Sequence, residues 1–113
     1  MYVELTDIKN RIVDGLTTEL KNEPTFDADL LNAKVEAAII EIEGIRDYPD
    51  DYTADMVEKD MERFYRNIRA LALYDYNQIG IEYQLSATEN GIARNYMSRN
   101  KLLYGVRPLA VRL

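Results

Sequence analysis

The sequence predicts a mainly α fold: a small bundle of three longer helices plus a short C-terminal helix, with a β-hairpin or extended loop between the third and the last. Three observations lead there. Apolar residues recur at helical steps in three segments, breakers at Pro24 and Pro49 separate those segments, and the periodicity changes after Gly80. The longest pattern runs from Asp55 to Asn77, where Val57, Met61, Phe64, Ile68 and Leu71 form one row and Met61, Tyr65, Ile68, Ala72 and Tyr76 a second beside it. So wide an apolar stripe marks the central helix. Burying the first row is worth on the order of 8 to 15 kcal/mol, less than the chain entropy lost in ordering the segment, so this helix needs other helices to pack against.

The first helix is expected from about Thr6 to Lys21, with Leu5, Ile8, Ile12, Leu16 and Leu20 at helical spacing and Thr6 as its cap. Gly15 and the pair Thr17 and Thr18 weaken it, and Pro24 pushes Glu23 out of the helical region. The second helix opens at Thr25 or Asp27 and runs to about Arg46. Its stripe is Leu31, Val35, Ala38, Ile42 and Ile45, widened by Leu30 and Ile39, and Ala33, Ala37 and Ala38 allow a neighbouring helix to approach closely. Asp27 and Asp29 in the first turn and Arg46 in the last complement the helix dipole. Residues 47–52 form a connecting loop. The expected core is Leu31, Val35, Ala38, Ile42, Val57, Met61, Phe64, Ile68 and Leu71, in one domain spanning residues 1–113.

Beyond the central helix, Gly80 is a natural stop. Ile81, Tyr83 and Leu85 alternate with Glu82 and Gln84, Ser86 to Gly91 is turn chemistry, and Ile92 to Met97 is extended again. Residues 81–97 therefore read as a projecting hairpin or long loop, which needs a partner surface to stay ordered. Ser98 can cap a short last helix ending near Tyr104. Gly105 and Pro108 then open a tail, residues 105–113, whose Leu109, Val111 and Leu113 make no pattern able to fold alone.

A chain of 113 residues supports one modest core, and 47% hydrophobic with 30% charged residues is ordinary for a soluble globular protein. No apolar run approaches the roughly 18 residues of a membrane span, and the acidic start lacks the features of a signal peptide, so a cytoplasmic chain is expected. The sequence has no cysteine and no histidine, which removes disulfides, thiolate nucleophiles, imidazole bases and the commonest metal ligands. The net charge of −6 is unevenly spread: residues 1–62 carry 17 acidic and 6 basic side chains, residues 63–113 only 3 acidic and 8 basic. From Asn90 onward the charged side chains are Arg94, Arg99, Lys101, Arg107 and Arg112. Such polarity lets copies of one chain attract head to tail; it is equally what two separately solvated faces would give.

No constellation carries chemistry. Asp47, Asp50, Asp51 and Asp55 lead to Glu58 at the twelfth position, as in a calcium loop, but Pro49 and Tyr52 occupy positions that need an oxygen ligand and a glycine. The cluster reads as a solvated acidic loop. Ser86 and Ser98 have no histidine to activate them. No catalytic residue, metal or cofactor is expected. Among the nine tyrosines, Tyr83, Tyr96 and Tyr104 lie near the C-terminal basic residues and could stack on nucleic-acid bases. The favoured reading places tyrosines at the rim of a core or a subunit interface, since an acidic protein repels phosphate. Arg63, Arg66 and Arg69 form a basic row, with Asp60 to Arg63 and Glu62 to Arg66 as surface pairs.

The run Leu73-Tyr74-Asp75-Tyr76-Asn77-Gln78-Ile79-Gly80-Ile81-Glu82, then Ser86, then Thr88-Glu89-Asn90-Gly91-Ile92-Ala93-Arg94-Asn95-Tyr96, resembles the head–tail connector family (adaptor or head-completion proteins) of tailed bacteriophages. The N-terminal half is also similar, through Val3, Leu5 and Ile8-Lys9, then Asp29-Leu30-Leu31, Val35 and Ala37-Ala38. The resemblance covers most of the chain to Tyr96. It implies a non-enzymatic virion subunit, assembled in the host cytoplasm, that closes into a homo-oligomeric ring beneath the portal protein of a filled head. Such a ring extends the DNA channel without sequence-specific binding and docks the downstream neck (stopper) or tail-completion protein. On this reading the assembly residues are Glu82, Ser86, Glu89, Asn90, Gly91, Ile92, Arg94 and Tyr96, with Arg99 and Lys101 also facing neighbouring proteins. Glu36, Glu43, Asp50 and Asp51 are candidates to line the channel, and the competing lining is the Arg63, Arg66 and Arg69 row. The alternative is a small helical interaction module or regulator that binds nucleic acid through its basic C-terminal part.

Overall fold

The computed structural model describes residues 3–85 and 99–109. Their regular structure is helical throughout: α1 (Thr6–Leu20), α2 (Ala28–Arg46), α3 (Ala54–Met61) and α4 (Tyr65–Leu85), with a 3-10 turn, Glu62–Phe64, joining α3 to α4. A further helical turn covers residues 99–102. The most extensive helix pair is α2 with α4, and α1 packs on both.

One apolar cluster unites them. Ile8, Ile12, Leu16 and Leu20 of α1 meet Leu31, Val35, Ala38, Ile39 and Ile42 of α2, and Val57, Met61, Phe64, Ile68, Leu71, Ala72 and Tyr76 of the third segment. All nine core residues named from the sequence are buried. Ala38 faces this core, whereas Ala33 and Ala37 lie exposed on the outer side of α2 together with Ile40 and Gly44.

A side chain caps the start of α2 and of α3. The Asp27 carboxylate accepts the Leu30 N–H at 3.1 Å, and the Thr53 hydroxyl accepts the Met56 N–H at 3.2 Å. Asp27→Ala is expected to lower stability by about 1 kcal/mol, measurable as a shifted denaturation midpoint, because it orphans a backbone donor. At α1 the expected Thr6 cap is not used. Leu5 holds the cap position without a side-chain bond and is itself buried, so burial fixes this start. Asp47 ends α2 in the left-handed region at φ +50°, a conformation that Asp tolerates better than most residues.

The third segment differs from expectation twice. The predicted single helix from Asp55 to Asn77 is divided by the 3-10 turn, which places buried Phe64 beneath the Arg46 guanidinium, 5.0 Å from ring centroid to Cζ. The helix also does not stop at Gly80 but continues to Leu85, so the expected first arm of the hairpin, from Ile81 to Leu85, is helical backbone. Five residues are too few to separate the two periods: Ile81 and Leu85 are four apart, which suits a helix as well as a strand. A glycine inside a helix costs about 1 kcal/mol and need not end it. The remainder of the expected hairpin, residues 86–97, and the Ser98 cap lie outside the described residues.

The expected short last helix is present as the turn over residues 99–102, and the part of the expected tail that is described, residues 105–109, is held by the helices rather than by any structure of its own. Asn67 Nδ2 donates to the Leu102 carbonyl at 2.8 Å, Arg46 Nη1 donates to the Arg107 carbonyl at 2.9 Å, and Leu109 N–H donates to the Arg46 carbonyl at 2.8 Å. The helical turn ends before Tyr104, and Gly105 at φ +89° reverses the chain so that Val106 is buried.

Candidate assembly surfaces

Two arginines, one buried and one partly buried, decide what remains on the surface. Arg46, in the last turn of α2, grips Asp60 of α3 through Nε to Oδ2 at 2.9 Å and Nη2 to Oδ1 at 3.0 Å. The Tyr48 hydroxyl donates to Asp60 Oδ2 as well. Burial pushes the Asp60 carboxyl up, but the hydrogen bonds from Tyr48 and Arg46 with the Arg46 and Arg63 charges outweigh it and hold the group below the usual carboxylate range. Tyr48 is shifted upward, by burial first and then by the bond to Asp60.

Arg99 was expected to face a neighbouring protein, and the structure turns it inward. Its Nε and Nη2 bond both oxygens of Asp75 at 2.9 and 3.0 Å, and its Nη1 and Nη2 bond both oxygens of Glu41 at 3.0 and 2.7 Å. The bond to Asp75, followed by that to Glu41, pushes the guanidinium further up. Two carboxylates thus take four of the five N–H donors of the planar fork, which leaves one Nη1 hydrogen for an outside partner. Lys101, by contrast, is exposed.

Of the other residues expected at interfaces, Glu82 lies on α4, while Ser86, Glu89, Asn90, Gly91, Ile92, Arg94 and Tyr96 lie outside the described residues. The expected Glu62 to Arg66 pair is replaced: Glu62 bonds Arg11 of α1, whose guanidinium also lies over the Tyr65 ring. Arg69 pairs with Glu19, Arg63 reaches Asp60 at 3.4 Å, and Arg66 is exposed. Two members of the arginine row are thus tied to carboxylates of the same chain.

The expected channel-lining carboxylates divide as well. Asp50 and Asp51 are exposed, and Glu36 pairs with Lys9 at 3.6 Å. Glu43 is only 3% exposed and cannot line a channel. Its Oε1 accepts the Val3 N–H at 3.2 Å, and its Oε2 is buried without a hydrogen-bond partner among the described residues. Burial pushes this carboxyl up to about 7, although the Val3 bond opposes the shift.

Folded Glu43 therefore keeps its proton to about pH 7, while the unfolded carboxyl loses it near 4.5. Its contribution to stability falls as pH rises through that window and is level outside it. Wild type is expected to lose up to about 3 kcal/mol more than Glu43→Gln between pH 4.5 and 7, read from denaturation midpoints at each pH. Parallel pH profiles for the two proteins would refute the assignment.

Sequence reasoning missed Asp60 and Arg46 as a buried pair, Tyr48 as a core residue, and Asn67 as a tail clamp. Asn67 left a usable signal, since a mid-helix asparagine beside an apolar stripe is a poor helix former that finds backbone partners. Among the described residues, large apolar side chains stay outside at three places: Tyr104 at 84% exposure, Ile40 at 47% and Met56 at 45%. No group of residues able to hold a metal ion occurs among the described residues, and none of their helices is long and apolar enough to cross a membrane.

The class these features define is a mainly helical protein whose exposed surface is acidic at the loop before α3 and basic at the C-terminal turn. No family model, no curated protein and no solved structure matches the chain.

Proposed function

We propose that the chain is a structural virion subunit of the head–tail connector kind. It forms a ring beneath the portal, extends the DNA channel, completes the filled head and docks the next neck or tail protein. The observation that carries this reading is the ordered run from Leu73 to Tyr96, with its matching N-terminal half. The distribution of charge along the sequence is compatible with it in one physical respect. A ring subunit needs two different, complementary faces, and this chain divides its charge between an acidic and a basic half. A role without catalysis accords with a sequence that has neither cysteine nor histidine.

Electron microscopy of the purified protein, alone and mixed with the portal protein of the same phage, tests the reading. Rings, or a collar added to the portal, are the expected result. Small oligomers that ignore the portal and bind duplex DNA in a salt-sensitive way would replace it with the nucleic-acid regulator, for which exposed Tyr104, Lys101 and Arg107 would be the binding surface.

A further inference from the structure

Tyr104 is the most exposed large hydrophobic side chain among the described residues, at 84%, yet its backbone is held on both sides. Its N–H bonds the Lys101 carbonyl at 3.1 Å, Val106 N–H bonds the Leu103 carbonyl at 3.0 Å, and Arg46 grips the Arg107 carbonyl at 2.9 Å. Leu102 and Leu103 are half-buried and Val106 is buried. A ring presented on a fastened turn loses little conformational freedom on binding, and tyrosine is among the residues that dominate interface energies. Exposed Lys101 and Arg107 flank it, and residues 99–109 contain no carboxylate side chain.

The complementary surface lies on the same chain. Asp50, Asp51 and Asp55 are exposed, and no ion pair among the described residues uses them. Met56, 45% exposed, stands among them. This edge is also anchored: the Thr53 cap fixes the start of α3, Tyr52 N–H bonds the Pro49 carbonyl at 3.0 Å, and the Tyr52 ring stacks at 5.6 Å on that of buried Tyr48. A thioether inside an acidic rim matches an aromatic ring inside a basic rim in polarity and in charge.

We propose that the Tyr104 knob of one copy, with Lys101 and Arg107, docks on the Asp50, Asp51 and Met56 edge of a second copy. Each copy carries both halves, so the contact can repeat from subunit to subunit. The inference rests on the self-assembling reading above and names the surfaces that meet.

Sedimentation and light scattering of the full chain at low salt test it. Tyr104→Ala, the pair Lys101→Glu with Arg107→Glu, and the pair Asp50→Lys with Asp51→Lys are each expected to raise the concentration needed for assembly by about tenfold or more. All five side chains are exposed, so each variant is expected to fold, which its melting curve checks. Mixing the two charge-reversed proteins restores complementary contacts in both directions, so the mixture is expected to assemble where neither does alone. Wild type that assembles while every variant assembles equally well would overturn the docking surfaces and leave the connector reading standing. Wild type that stays monomeric also overturns them, and the portal assay then judges the connector reading separately. Variants at Lys101 and Arg107 that lose only duplex-DNA binding, with oligomeric state unchanged, would reassign the knob to nucleic acid and end the proposal.

Discussion

Asp60→Ala is expected to destabilise the fold by about 3 to 5 kcal/mol, the cost of leaving one member of a buried ion pair without its partner. The Arg46 and Asp60 side chains are 8% and 12% exposed, so neither can exchange its partner for bulk water. Removing the carboxylate strands the guanidinium and also takes the acceptor from the Tyr48 hydroxyl. Denaturant titration at neutral pH reads the loss directly. The double change Arg46→Met with Asp60→Leu is expected to be milder than Asp60→Ala alone, since it leaves no buried charge, although it releases the Arg107 carbonyl. A single mutant within about 1 kcal/mol of wild type would show that water reaches the pair, as it does at surface ion pairs.

Phe64→Ala is expected to cost about 3 to 5 kcal/mol through the cavity it leaves. The ring is 7% exposed and lies in the turn that joins α3 to α4, with the Arg46 guanidinium 5.0 Å and the Arg63 guanidinium 5.7 Å from its centroid. Because Arg46 touches both Phe64 and Asp60, the two substitutions should not add. A double-mutant cycle is expected to give a coupling of about 0.5 kcal/mol or more, and strict additivity would sever the link through Arg46. An unchanged melting midpoint for Phe64→Ala would refute the packing of the third segment.

What could be read beforehand was whatever repeats. Ile8, Ile12 and Leu16, or Leu31, Val35 and Ile42, show their inward face because burial acts at every turn of a helix. Events that happen once leave no period. The 3-10 turn at Phe64 has no sequence period, and the partner of Arg99 depends on where two separate helices place Glu41 and Asp75. Glu43 looked like any surface carboxylate because its hydrogen-bond donor, the Val3 N–H, lies forty residues away in the chain. Helix against strand failed at Ile81 to Leu85, where the window was shorter than two helical turns. Of the expected interface residues, only Lys101 is both described and outward-facing.

The manner in which the tail is fastened has an evolutionary and practical consequence. Asn67 and Arg46 hold it by the main-chain oxygens of Leu102 and Arg107, and Leu109 returns a main-chain N–H to the Arg46 carbonyl. Every residue type offers such an oxygen, so the grip is blind to the side chains displayed outside. Lys101, Tyr104 and Arg107 can be rewritten while the scaffold beneath stays in place, which makes the segment a replaceable cassette. A lineage that changes its neighbour could retune recognition here by single substitutions, and a designer could graft a new contact at the same three positions.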